Sequence, residues 1–316
     1  LINQTHDGVT YTSVDFEGVK TTDKGFAELP VIGTALALDS SKDYDLKVVA
    51  STYEDIKLEH ALLPSKGVIK RNQNIDLIPY KVESRSLVNS FYPREVARAS
   101  TPFILRDVRG MSVFLSPFTY NAVTKTLRVY KNLKVELTAN TRSSTNALKV
   151  RSTPNAVMNN IYQTLFVNYV APSRLNLSDM GDLLVITTAR DEAAIAPYID
   201  WKIQKGFNVT KAVVAKGTNV KALVKAEYTK NPKLLYVQIV GDWEDIKSDL
   251  GPDNAPTDPM LGAIVGKDNF SEVIVGRFSA KSAADVTTQV EKTIAYERNP
   301  DMTGDWYKNS MGIGSN

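Results

Sequence analysis

Residues 242–272 concentrate the side chains best suited to holding a charged ligand. Eight acids from Asp242 to Glu272 stand there against only Lys247 and Lys267. The segment follows the apolar run KLLYVQIV. Within it, VGKDNFSE sets Asp268 and Glu272 four residues apart, with main-chain carbonyls between them. Carboxylates mixed with backbone oxygens on an irregular loop are what a hard cation such as calcium selects. The acid spacing is not that of an EF-hand. From the residues alone, a solvated acidic loop stands beside the cation-binding reading.

Other chemistry is excluded by composition. There is no cysteine, so these residues hold no disulfide, thiolate metal site or cysteine nucleophile. His6 and His60 are the only imidazoles, both in the first fifth of the chain, which leaves no nucleophile–histidine pair for the second half. No GxGxxG or GxxxxGK[ST] is present, so phosphate binding has no support. A net charge of +3 over 316 residues gives no case for nucleic acid. No apolar run is long enough to span a membrane, and no basic-then-apolar leader is present, so an export signal is expected to have been removed already.

The elements that must position these residues divide into two kinds. Residues 1–150 read as short strands punctuated by turn signals such as Asp7-Gly8. KTLRVYKNLKVELTA alternates with period two, placing Leu127, Val129, Leu133, Val135 and Leu137 on one face, with Asn132 interrupting the register at a bulge or bend. An antiparallel β-sandwich or barrel-like domain is predicted there. Residues 151–181 read as a linker with a short amphipathic helix near Ala156–Leu165. From 182 to 316, strands and helices alternate, which predicts an α/β domain with a mostly parallel sheet and sites at the carboxyl ends of its strands. Trp201 is expected in the core, and Arg277 is expected to pair with the acidic loop. Residues 1–174 carry 22 Lys+Arg and 16 Asp+Glu, whereas 175–316 carry 16 and 19. Halves of opposite sign are expected to attract. Between them, NYVAPSRLNLSDMGD isolates Arg174 at the seam.

YIDWKIQKGFNV, LLYVQIVGDWEDI, GAIVGKDNFSEVIVGRFS and TIAYERNPDMTGDWY resemble the start of the catalytic domain of gingipain-type cysteine peptidases, family C25. LRDVRGMSVFLSPFTYNAVTKTLRVY resembles the β-rich prodomain that precedes it. The resemblance implies a zymogen of a secreted or cell-surface endopeptidase acting on proteins and peptides. Its caspase-like domain would be incomplete here, with catalytic Cys and His beyond residue 316 in the remainder of the catalytic domain, so that this chain alone is expected to be inactive. It implies removal of the prodomain by a cut between Arg174 and Leu175. It also implies structural calcium on Asp242, the carbonyl of Val265, Asp268, the carbonyl of Phe270 and Glu272. Prodomain inhibition by a substrate-like plug would draw on Arg94, Arg98, Arg106 or Arg109. Two rivals stand beside this reading: a non-catalytic binding or inhibitory module with a degenerate peptidase-like domain, and an α/β binder of a small anion. The coding sequence past Asn316 separates them, because a His-Gly pair and a Cys on strand ends would mark the peptidase.

Overall fold

The structure, a computed structural model, describes residues 1–70, 72–140, 145–149, 155–173, 179–251 and 254–312. The first half contains strands β1 (Pro30–Ala37), β2 (Asp43–Lys57), β3 (Phe103–Leu105), β4 (Val108–Leu115), β5 (Phe118–Asn121) and β6 (Thr126–Asn140). Strand β4 is central to one antiparallel sheet and pairs with β1, β3 and Ala97–Ala99. Strand β6 is central to the other, between β2 and β5. Ser116-Pro117 carries the chain from the first sheet to the second; a proline has no N–H to give to a ladder. A separate hairpin joins Ile2–His6 to Val9–Ser13. Asp7 and Gly8 both take positive φ (50° and 76°) in its turn, as a two-residue primed turn requires.

The alternating pattern of β6 is realised only in part. Leu127 is buried, but Val129, Leu133, Val135 and Leu137 are half-buried. Strand β5 pairs only with residues 126–129, so the outer parts of β2 and β6 form a two-stranded ribbon. The register slips between Tyr130 and Asn132, where the sequence predicts a bulge or bend.

The second half contains β7 (Asp182–Thr188), α2 (Glu192–Gln204), β8 (Val209–Val214), α3 (Lys221–Lys230), β9 (Leu234–Val240), β10 (Ile274–Phe278) and α4 (Ala283–Arg298). The strands are all parallel, in the order β8-β7-β9-β10. The apolar run of β7 divides by parity: Leu184 and Ile186 pack with Val224 and Tyr228 of α3, while Leu183 and Val185 pack with α2 and α4. Helix α4 begins with a capping box between Ser282 and Asp285. Helix α2 is followed by Gly206 at φ 95°, one of the positions where a residue without a side chain is needed.

The predicted short helix, α1 (Ala156–Leu165), is not a free linker element. Asn155 caps it, and Met158, Tyr162 and the following Phe166 form one core with Ala35, Phe103 and Val108 from the first half and Leu235 from the second. It is the wedge between the halves.

Candidate functional site

The two halves meet at the amino edge of the parallel sheet. Strands β3 and β4 form a two-residue hairpin whose tip is Arg106-Asp107, with Arg106 at φ 49°. That left-handed turn drives the Arg106 side chain into the other half, where it is 5% exposed. Its Nη1 donates to the carbonyls of Leu234 (2.6 Å) and Glu272 (2.8 Å), and its Nη2 to that of Pro232 (2.8 Å). Asp107 Oδ2 lies 3.3 Å from Nε and holds the guanidinium plane. The Tyr162 hydroxyl, 3.2 Å from the same carboxylate oxygen, ties α1 to this turn. Burial and the nearby Asp107 raise the Tyr162 pKa, so the hydroxyl stays protonated.

A second set of contacts runs beside the first. Asp268 Oδ2 accepts from the Ile104 backbone N–H (2.9 Å) and from Asn146 Nδ2 (3.3 Å). Asn146 Oδ1 accepts from the Lys267 N–H at 3.0 Å. Phe103 stacks on Phe270 with centroids 4.0 Å apart. Arg109, fully buried, holds Asn146 in place by donating to the carbonyls of Thr145 and Asn146, and it pairs with Asp43 at 2.5 Å.

The acidic loop is built around Glu272. Its Oε2 accepts from the N–H groups of Ile264 (2.6 Å) and Val265 (2.9 Å), while Oε1 is buried without a partner. Burial pushes this carboxyl up to about 7, and Asp268 nearby adds to the rise against the pull of the two amides. Asp242 is elsewhere. It follows β9, with its N–H on the Ala280 carbonyl and its Oδ1 on Trp243 N–H and Ser279 Oγ. Glu272 precedes β10, level with Leu234 at the start of β9. A whole strand separates the two acids, so the expected three-carboxylate set does not form. Among the described residues no three His, Cys, Asp or Glu side chains converge to hold a metal. What remains is Asp268 beside an orphaned, buried Glu272 oxygen.

The carboxyl edge of the sheet is closed by internal ion pairs. Arg190 bridges Asp191 (2.7 Å) and Asp245 (2.8 Å) and reaches the Ala280 carbonyl. Arg277 pairs with Asp258 as expected and also caps the carbonyls of Gly241 and Ile246. Trp201 is half-buried rather than in the core, donating to Glu297 between α2 and α4.

The comparisons with known proteins divide at the same seam. The family model Propeptide_C25 matches residues 3–174, and that of Peptidase family C25 matches residues 176–316. This chain belongs to family C25. It is a C25 propeptide joined to the start of the C25 peptidase domain. Gingipain R2 of Porphyromonas gingivalis is 36% identical over 99% of this chain and 44% of its own length. Lys-gingipain of the same organism is 22% identical over 92% of this chain and 18% of its own length. The chain thus spans less than half of the curated relatives it matches. A solved complex of P. gingivalis RgpB pro- and mature domains is 37% identical, covering 48% of this chain and 76% of that one with a TM-score of 0.45.

The remaining positions expected from the sequence fall unevenly on this geometry. Arg174 and Leu175 lie outside the described residues. Arg106 and Arg109 are not available as a substrate-like plug: the first is spent on the amino edge and the second is buried within the propeptide. Arg94 and Arg98 are exposed and line a groove of the propeptide, with Arg98 over the Phe114 ring. Sequence reasoning missed the partners that matter most here: Phe103, Asn146 and Tyr162. Nothing in the sequence around Arg106-Asp107 says how deep this turn is buried.

Proposed function

We propose that this chain is the zymogen portion of a secreted gingipain-like cysteine endopeptidase that cleaves proteins, with a propeptide that chaperones and inhibits the peptidase domain. The observation that carries this reading is the docked Arg106 hairpin, a propeptide element satisfying backbone groups of the peptidase half. The nucleophile and its histidine would come from the rest of the catalytic domain, since the chain has no Cys and both His lie in the propeptide. Cleavage between Arg174 and Leu175 is supported by the adjoining ends of the two family matches. The full-length precursor carrying Arg174→Ala is expected to remain uncut there. Amino-terminal sequencing of a mature form that begins elsewhere would overturn the assignment.

The acidic loop is read as a structural calcium site without Asp242. Asp268, Glu272 and the carbonyls of Val265 and Phe270 are the residues that would hold the ion, and the orphaned Glu272 oxygen supports that donor set. Bound calcium would neutralise two neighbouring carboxylates and brace the loop that enters β10. Millimolar calcium is expected to raise the melting temperature over that in chelator. Glu272→Gln, which keeps an acceptor for the two amides, should abolish the difference. Equal melting temperatures for the parent chain in both solutions would remove the site.

A further inference from the structure

We propose that the peptidase half carries an arginine socket at the amino edge of its sheet, and that Arg106 in this socket keeps the propeptide bound after the halves are cut apart. The inference deepens the zymogen reading and rests on it. It assigns retention to one place and leaves inhibition to another.

The socket is a set of three carbonyls, on Pro232, Leu234 and Glu272. Pro232 and Glu272 precede the strands they lead into, and Leu234 is the first residue of β9. The pairing of β7 with β9 slips between Asp182/Leu234 and Leu183/Tyr236, so Leu235 is skipped. The Leu234 carbonyl beside that irregularity accepts from the guanidinium, and the Leu235 side chain is buried against the propeptide core. A planar guanidinium presents several N–H donors in a fixed fork; a lysine ammonium is a compact, strongly hydrated charge that cannot reach three spread acceptors at once. Asp107 fixes the fork, and the turn at φ 49° sets its direction. The occupant the socket fits is therefore a guanidinium at the tip of a two-residue β-turn, which the propeptide supplies.

The contact lies at the edge of the sheet opposite the carboxyl strand ends where open α/β sheets place their sites. The seven residues of β9 place the socket about 20 Å from those ends. Among the described residues no ion pair joins the two halves, so salt has little to screen.

The test uses the full chain with residues 170–177 replaced by a sequence that one site-specific protease cuts. After cutting, the parent halves are expected to co-elute on size exclusion at roughly 0.1 M and 1 M salt alike. The halves of Arg106→Ala are expected to separate. Arg106→Lys keeps the charge and should weaken association at least about tenfold, which decides the matter if the alanine variant fails to fold before cutting, as judged by circular dichroism. The Arg94→Ala/Arg98→Ala double variant should be retained like the parent. Parent halves that separate on cutting, retention lost at high salt, or Arg106→Lys halves that bind like the parent would each overturn the socket. No peptidase activity is read, so failure of the zymogen reading would appear separately, as an inactive full-length enzyme.

Discussion

Two glutamates in this chain are set to respond to pH in opposite directions. Glu297 accepts from Lys202 (2.6 Å), Lys205 (2.9 Å) and the Trp201 indole (2.8 Å). Burial works to raise its pKa, but these three donors outweigh it and bring the group down to about 2 from an ordinary 4.5. A lowered carboxyl stabilises the fold above its unfolded pKa and loses that contribution as pH falls toward 2. Glu297→Gln is therefore expected to destabilise by roughly 2 kcal/mol at pH 7 and by almost nothing near pH 2, by denaturant titration at each pH. Glu272 behaves the other way. Its carboxyl sits at about 7 when folded, so without a cation the fold loses stability as pH rises from about 4.5 to 7. In chelator, Glu272→Gln should stabilise at pH 8, by on the order of 3 kcal/mol at most, and be neutral at pH 4. An equal effect of Glu272→Gln at both pH values would refute the raised carboxyl. At this scale the sequence was legible for Arg277, whose partner Asp258 lies in the acidic loop that precedes it. It was not legible for Arg106, whose acceptors are backbone groups that carry no residue identity, nor for Asp242, which lies in the same acidic segment as Asp268 and Glu272 but at the opposite end of a strand.

Among the elements, the β3–β4 hairpin depends on a glycine that faces aromatic rings. A side chain added at Gly110 would meet Phe166 at 2.5 Å and Phe103 at 2.7 Å, and both rings belong to the core that joins the halves. Gly110→Ala should cost about 1–3 kcal/mol through overpacking, seen as a lower melting temperature with no change in calcium response. An unchanged melting temperature would mean that the rings have room to move. The alternating strands and helices of the second half were legible because buried parallel strands and capped helices write their limits locally. The short helix was legible but its wedging role was not, for a physical reason: most of what buries α1 is distant in sequence. Likewise, period two in β6 does not reveal whether another layer lies over each part of the strand.

For the molecule as a whole, the opposite net charges of the halves do not do the joining. The contacts across the seam are a backbone amide and an asparagine side chain on a carboxylate, a guanidinium on carbonyls, and stacked rings. Arg106 lies 128 residues from Leu234 and 166 from Glu272 along the chain, and the seam at residue 174 falls inside both spans. While the backbone is continuous, the hairpin meets its socket at the high effective concentration that any tether imposes, of millimolar order for a short flexible one. One broken peptide bond removes that tether without touching a single contact. From then on, occupancy obeys mass action, and the melting temperature of the cut protein should fall with dilution while that of the intact chain does not. Dispersal into a large volume would then empty the socket even though every bond that formed it is unchanged.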